Sequence, residues 1–377
     1  LLFLELDVVI QYKVPIKVVK TKINSMKDKL LIYGCNGYTG TLISRLAKKQ
    51  GLEPILSGRN ADAVKKLADE LKLPCVAFDL TDTAAADNAL NDVKVVLHCA
   101  GPFMYTSKQM INACVRNKAH YLDITGEITV FEGAQRQDEA AKKAGVMVMS
   151  GVGFDVVPTD CMSLYLKEQL PDATGLELCL MSKGGRLSHG TAITIAEGLG
   201  QPSAIRKDGR ITPTKSGYTT REIDFGFTKK LAVEIPWGDV STAFYTTGIP
   251  NIRVYNVLPK QLITSMKLSN YIGPILRLRW VKDRAIANIK QKPAGPDDKE
   301  RETAQSFVWG EVTNKKGVSK RAVLTLPEGY TLTAETAVEI AKRALDANFS
   351  QTGFKTPASV FGAGFIKEFA GVSLKDL

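Results

Sequence analysis

The stretch LLIYGCNGYTGTLISRLAKK, Leu30 to Lys49, decides the fold. A short apolar run enters a turn with glycines at 34, 37 and 40 and leaves it as an amphipathic segment, which reads as a buried strand, a tight turn and a helix. Glycines there let the backbone approach a ligand closely. Their G-x-x-G-x-x-G spacing is close to the dinucleotide-binding fingerprint without being the same, so the segments around it must supply the interpretation.

Those segments repeat one unit. Strand-like runs at 30–34, 53–58, 75–79, 93–100, 120–125 and 145–151 alternate with amphipathic runs, which specifies a parallel sheet covered on both faces. Beyond Gly153 the text changes: a helix (DCMSLYLKEQL), a strand (GLELCLMSK) and a glycine-rich turn lead into TAITIAEGLG. Further strands are expected, including STAFYTTG and a hairpin around NKKG. The fold class is therefore α/β, with an N-terminal doubly wound parallel sheet and a second α+β domain containing an antiparallel sheet. The expected boundaries are an additional segment at 1–28, a nucleotide domain at 29–153, a substrate or dimerisation domain at 154–333, and a C-terminal helix and tail at 334–377 that pack back on the body. The helix in TLTAETAVEIAKRALDAN is expected to start from a Thr333 cap, and 291–303, with two prolines and a glycine, to be an exposed loop.

Composition narrows the class. At 377 residues, with 44% hydrophobic and 24% charged residues, the chain reads as globular with two domains. Six widely spaced cysteines with no C-x-x-C favour reduced thiols and a cytoplasmic setting. The net charge of +11 favours anionic partners, yet no nucleic-acid-binding module accompanies it. No metal site is expected, because the three histidines are dispersed and H-E-x-x-H is absent, and no G-x-S-x-G elbow marks a serine hydrolase. Residues 1–25 read as a start-site artefact or an extra strand rather than a signal peptide, since their lysines follow the apolar part. The apolar segment 254–290 is too charged to span a membrane and reads as a packed or homodimerising helix, with peripheral contact to membrane or lipid as the alternative.

A pyrophosphate at the start of the first helix would meet Gly34, Gly37 and Gly40, with Asn36, Tyr38 and Thr39 beside it. NAD sites end the second strand with a carboxylate, whereas this chain has Ser57, Arg59 and Asn60 there. A guanidinium suits a 2′-phosphate, so the cofactor expected is NADP(H). Asp79 either receives the adenine amino group or caps the following helix; Cys99, Ala100, Gly101 and Pro102 would pass beneath the nicotinamide ribose. Proton donors or positioning groups for an acceptor are sought in Tyr105, Tyr121, Asp123, Asp155 and His189, while Glu127 and Asp160 read equally well as helix caps.

The motifs GCNGYTG, SGRN, HCAGPF, YLDITGE, GFDVVPTD, GGRLSHGT, TGIPNIRVY, WGEV and EGYTLTAETAVEIAKRAL occur in order, and over 29–364 the chain resembles the saccharopine dehydrogenase-like oxidoreductases, especially the branch with trans-acting enoyl reductases. The resemblance implies a Rossmann-type domain binding nucleotide through Gly34, Gly37 and Gly40, with Arg59 at the NADP-type position. It also implies reduction of an activated C=C bond in a hydrophobic or lipid-like small molecule. Leu187 and His189 depart from the usual roof turn, and the basic substrate residues of true saccharopine dehydrogenases find no counterpart, which points away from lysine metabolism. The competing expectations are a non-catalytic nucleotide-binding or membrane-associated scaffold and a saccharopine-type amino-acid dehydrogenase.

Overall fold

The computed structural model describes residues 27–377; the expectation for residues 1–25 lies outside them. The first sheet contains β1 (Lys29–Tyr33), β2 (Ile55–Gly58), β3 (Cys75–Ala77), β4 (Val93–His98), β5 (His120–Asp123) and β6 (Met147–Met149). Helices α1 (Tyr38–Lys49), α2 (Ala61–Leu71), α3 (Thr83–Ala89), α4 (Phe103–Arg116), α5 (Ile128–Gln135) and α6 (Asp138–Ala144) connect them. All pairs are parallel in the order β3-β2-β1-β4-β5-β6, the doubly wound arrangement. Strand β1 shows why its sequence is apolar without alternation. Leu30 and Ile32 enter the core on one face, Leu31 and Tyr33 the core on the other, so both faces exclude water.

The second unit runs through α7 (Val157–Gln169), β7 (Ala173–Lys183), α8 (His189–Glu197), β8 (Ser203–Lys207), β9 (Arg210–Thr214), β10 (Thr220–Asp224), β11 (Lys229–Glu234), α9 (Asp239–Thr247) and β12 (Asn251–Asn256). It continues with α10 (Lys260–Leu276), α11 (Arg279–Lys290), α12 (Asp298–Thr303), β13 (Gln305–Asn314) and β14 (Ser319–Leu326). The second sheet is mixed: β7 lies parallel to β12 and antiparallel to β13, and β13 and β14 form the hairpin around NKKG. On β7, Leu176, Leu178 and Leu180 face the core under α7 and α9, while Cys179 and Met181 face the opposite side with Trp309 and Phe307. Arg221 of β10 crosses that side to pair with Glu177 and Glu311, so the sheet is strongly coiled.

The chain then returns to the first sheet. Helix α13 (Gly329–Leu345) covers β1, β4 and β5 beside α1, and β15 (Gly353–Phe354) pairs with β6. After α14 (Pro357–Phe361), β16 (Ser373–Asp376) joins the second sheet on β14.

Three local expectations change. STAFYTTG is helical, within α9, because Val240 and Ala243 must both reach the core and Gly248, at φ 69°, ends the helix in the left-handed region. Helix α13 starts at Gly329 from a Glu328 cap, and Thr333, one turn inside, binds Phe154 N instead. Residues 291–303 include a helix with an Asp297–Glu300 capping box, and Gly295 and Pro296 are buried.

Gly40 carries the helix against the strand end: a Cβ there would lie 2.2 Å from Gly34 O. Gly40→Ala is expected to cost about 2–4 kcal/mol in urea unfolding. Gly51→Ala, at φ +81° with no neighbour within 4 Å, should cost only about 1 kcal/mol. Equal losses at the two positions would contradict the packing argument.

Candidate active site

The turn after β1 is held mainly by backbone, with Thr41 Oγ1 donating to Cys35 O at 3.1 Å. Gly34 N and Cys35 N donate to Ser57 O at 2.7 and 3.1 Å, and Gly37 N donates to Gly34 O at 3.1 Å. Gly34 has φ +83°, and a Cβ on it would lie 2.7 Å from Ala100 N, so only glycine lets the turn lie against the end of β4. Helix α1 begins at Gly37 with no side-chain cap and no acidic residue in its first turn. The backbone N–H groups of Tyr38, Thr39 and Gly40 thus stand at the positive end of the helix dipole, at the carboxyl ends of β1 and β4.

The neighbouring helix start is different. Glu127, after β5, accepts from Phe103 N at 2.8 Å and Met104 N at 2.9 Å, filling the start of α4 with a carboxylate. Burial raises that carboxyl, and the two N–H bonds oppose the rise. An anion therefore finds donors at α1 and a resident anion at α4. Glu127 does cap a helix, but not the one it precedes in sequence.

Around α1, Arg59 is exposed and makes no ion pair among the described residues. Asn60 caps α2 by accepting from Ala63 N, and Asn36 Oδ1 overhangs Gly58. Ser57 is buried, with its hydroxyl unpartnered. Asp79 is exposed and accepts from Thr81 N and Oγ1, which holds its carboxyl below the usual range; the cap of α3 is Asp82. After β4, Cys99 N donates to Tyr33 O, Thr106 Oγ1 donates to Ala100 O, and the Gly101–Pro102 bond is cis.

The second unit forms a roof. Tyr38 Oη donates to Pro296 O at 2.6 Å and accepts from Arg301, its ring lies edge-on to Tyr330 at 5.2 Å, and Gly295 leaves room for that ring. Tyr330 Oη accepts from Ser188 N at 2.7 Å and meets Thr191 Oγ1 at 3.0 Å. Tyr330, Ser188 and Pro296 were not singled out by sequence. Tyr330 lies in the quoted EGYT motif, but no spacing connects it with Tyr38.

The five acid–base candidates separate. Tyr121 and Asp123 are fully buried. Tyr121 Oη donates to Asp123, which also accepts from Ser150 Oγ, Thr125 N and Gly151 N. With the phenol proton given to Asp123, His98 Nδ1 at 3.1 Å must be the donor to Tyr121, leaving Nε2 unpartnered. Burial lowers His98 to about 3, so the ring stays neutral. This network ties strand ends together beneath the crevice. His189 uses Nε2 on Lys292 O at 2.7 Å and its backbone N–H on Ala294 O, which anchors the roof loop. Tyr105 bonds Glu197 at 3.2 Å at the crevice margin.

Asp155 stands apart. It follows β6, is half-buried, and places Oδ2 2.8 Å from where a Cβ on Gly126 would sit; only its backbone carbonyl is bonded, by Trp237 Nε1. Its carboxyl has no hydrogen-bond partner among the described residues, and burial pushes it up to about 7. By contrast Asp160, raised to about 6 by burial, is occupied with Thr246 and with Ala358 N at the start of α14.

Residues 30–149 match the family described as "Saccharopine dehydrogenase NADP binding domain", in agreement with the NADP(H) expectation. The human "Saccharopine dehydrogenase-like oxidoreductase" is 25% identical over 203 residues, covering 47% of each chain. The "Trans-acting enoyl reductase" of Mycobacterium ulcerans is 25% identical over 206 residues, covering 51% of this chain and 49% of its own. The aligned stretches span about half the length of these curated relatives. Among solved structures, saccharopine dehydrogenase (L-Glu forming) from Saccharomyces cerevisiae superposes over 93% of this chain and all of its own, with TM-score 0.64 and 14% identity. The two chains share the two-unit fold.

Between about pH 4 and pH 7 the folded protein keeps a proton on Asp155 that the unfolded chain has released, so this group's penalty grows as pH rises through that window. Asp155→Asn should therefore gain stability over wild type from pH 5 to 7.5, by up to about 1.4 kcal/mol per pH unit in paired urea titrations. A pH-independent difference would remove Asp155 as a titrating group in this window.

Proposed function

We propose that the protein is an NADP(H)-dependent oxidoreductase that transfers hydride to or from a small molecule held between its two units. The observation that carries this reading is the uncapped start of α1 on its glycine turn, beside an unpaired guanidinium at Arg59. Backbone N–H groups around Gly37 to Gly40 hold the pyrophosphate, and exposed Arg59 with Asn60 holds the 2′-phosphate, whereas Ser57, fully buried, lies beneath them and out of its reach. Asp79 takes the adenine edge, and the Cys99 to Pro102 turn carries the nicotinamide ribose. Bound there, the cofactor supplies or accepts the hydride. Asp155 donates a proton to, or takes one from, the acceptor at the same end of the sheet, a task suited to a carboxyl raised to about 7. Tyr121 and Asp123 keep the strand ends in register, while Tyr38 and Tyr330 set the roof height.

Two acceptor classes fit this chemistry. An amino-acid substrate of saccharopine type is supported by the two-unit fold shared along nearly the whole chain with the yeast enzyme. Reduction of an activated C=C bond in a hydrophobic substrate is supported by the partial likeness to the mycobacterial enoyl reductase, over about half of each chain. The first has the fuller support, against the initial expectation from the missing basic residues. NADPH oxidation with enoyl thioesters and NADP⁺ reduction with saccharopine, run on the same preparation, distinguish them; binding without turnover across both panels would indicate a scaffold.

Arg59→Ala is expected to weaken NADPH at least about tenfold and NADH by much less in fluorescence titration, the loss of a charge-assisted contact to phosphate. Equal losses for the two cofactors would sink the NADP assignment. Asp155→Asn should reduce turnover while leaving NADPH affinity near wild type, and should abolish a rate dependence centred near pH 7. An unchanged pH–rate profile would take the proton from Asp155.

A further inference from the structure

Helix α10 presents its apolar stripe outward. Leu268, Tyr271, Ile272 and Ile275 follow the i, i+3, i+4, i+7 pattern that normally marks a core-facing side, yet they are exposed, Tyr271 to 73% and Leu268 to 58%. The helix meets the body through the opposite side, where Ile263 and Gly273 are buried. Next along the chain stand two further exposed apolar residues, Leu278 and Trp280, the latter 64% exposed, and α11 contains no buried residue. Apart from Tyr218, whose hydroxyl meets that of Tyr271 at 2.8 Å, no described residue is bonded to this stripe, and a run of large exposed apolar side chains on one helix face marks a partner surface.

Charge selects the partner. Between 260 and 292 there are eight Lys or Arg residues and a single acid, Asp283. Arg279 and Lys282 pair with Glu197, whereas Lys260, Lys267, Arg284 and Lys290 are exposed and have no ion pair among the described residues. A second copy would bring the same positive field against itself, whereas an anionic lipid surface would meet it with the opposite sign. Exposed Trp and Tyr beside apolar and basic side chains are suited to the headgroup boundary. No helix among the described residues is long and apolar enough to cross a membrane, so the contact is superficial.

We propose that α10 and the start of α11 form a docking face for anionic phospholipid membranes, with Leu268, Ile275 and Trp280 inserted at the headgroup level and the surrounding Lys and Arg side chains on lipid phosphates. Docking by this face needs no assumption about the reaction.

The full chain is mixed with phosphatidylcholine vesicles with and without about a third phosphatidylserine, and partitioning is read by flotation and by tryptophan fluorescence. Binding should be at least about tenfold stronger on the anionic vesicles, weaken with salt, and shift the emission to the blue, because Trp280 is the exposed one beside buried Trp309 and half-buried Trp237. Leu268→Glu with Ile275→Glu should lose at least about tenfold in partitioning with its NADPH titration and thermal midpoint unchanged. Three results would overturn the proposal: no vesicle binding by the wild type, equal binding by the double variant, or a wild-type dimer in light scattering that the double variant splits. If the double variant does not fold, Lys260→Glu with Arg284→Glu provides the second test: persistence of anionic selectivity would also overturn it.

Discussion

The arrangement depends on a backbone approach that tolerates no side chain. Gly34 brings its turn against Ala100, and Gly40 brings α1 against Gly34 O. Those two contacts, with the bonds from Gly34 N and Cys35 N to Ser57 O, join the ends of β1, β2 and β4 into one ledge and aim the start of α1 along it. With a methyl group at either point, the ledge opens and the donors of α1 no longer share a surface with the Cys99 to Pro102 turn. Even Tyr38 depends on this placement, because its ring reaches the second unit only from the first turn of α1.

Much of the first sheet was legible because its physics is local. A strand buried on both faces must be continuously apolar, and the six runs ending near Tyr33, Gly58, Ala77, His98, Asp123 and Met149 appear as six parallel strands. The positions around the glycine turn were legible for the same reason. The second unit was less so. The β-branched and aromatic run at 241–247 looks like a strand, but α9 is helical because tertiary burial of Val240 and Ala243 overrides propensity. Glu127 shows the other kind of obscurity: its capping role serves a helix that begins 24 residues earlier, which no local pattern encodes.

Among the candidate acids and bases, environment rather than residue type makes the distinction. Tyr121 and Asp123 satisfy each other in the interior, and His189 is spent on a loop, while Asp155 is partly enclosed without a partner. Sequence placed all of them at strand ends or turns and could not rank them, because ranking needs the neighbours that folding brings. Roof contacts of Tyr38 with Pro296, 258 positions away, and with Tyr330 leave no trace in spacing.

The return of α13 to the first sheet has a consequence for biogenesis. The part of one face of β1, β4 and β5 that α1 does not cover stays open to water until residues 329–345 have been synthesised, because the helix that seals it is encoded after the whole second unit. Emerging from the ribosome, the ledge thus waits in an unfinished state, with Leu30, Ile32 and Leu97 in need of shelter, for a partner that arrives late. A gene fragment ending at the apparent border near Gly153 would lack that shelter, so the first unit of this molecule is contiguous in space but not in its coding order.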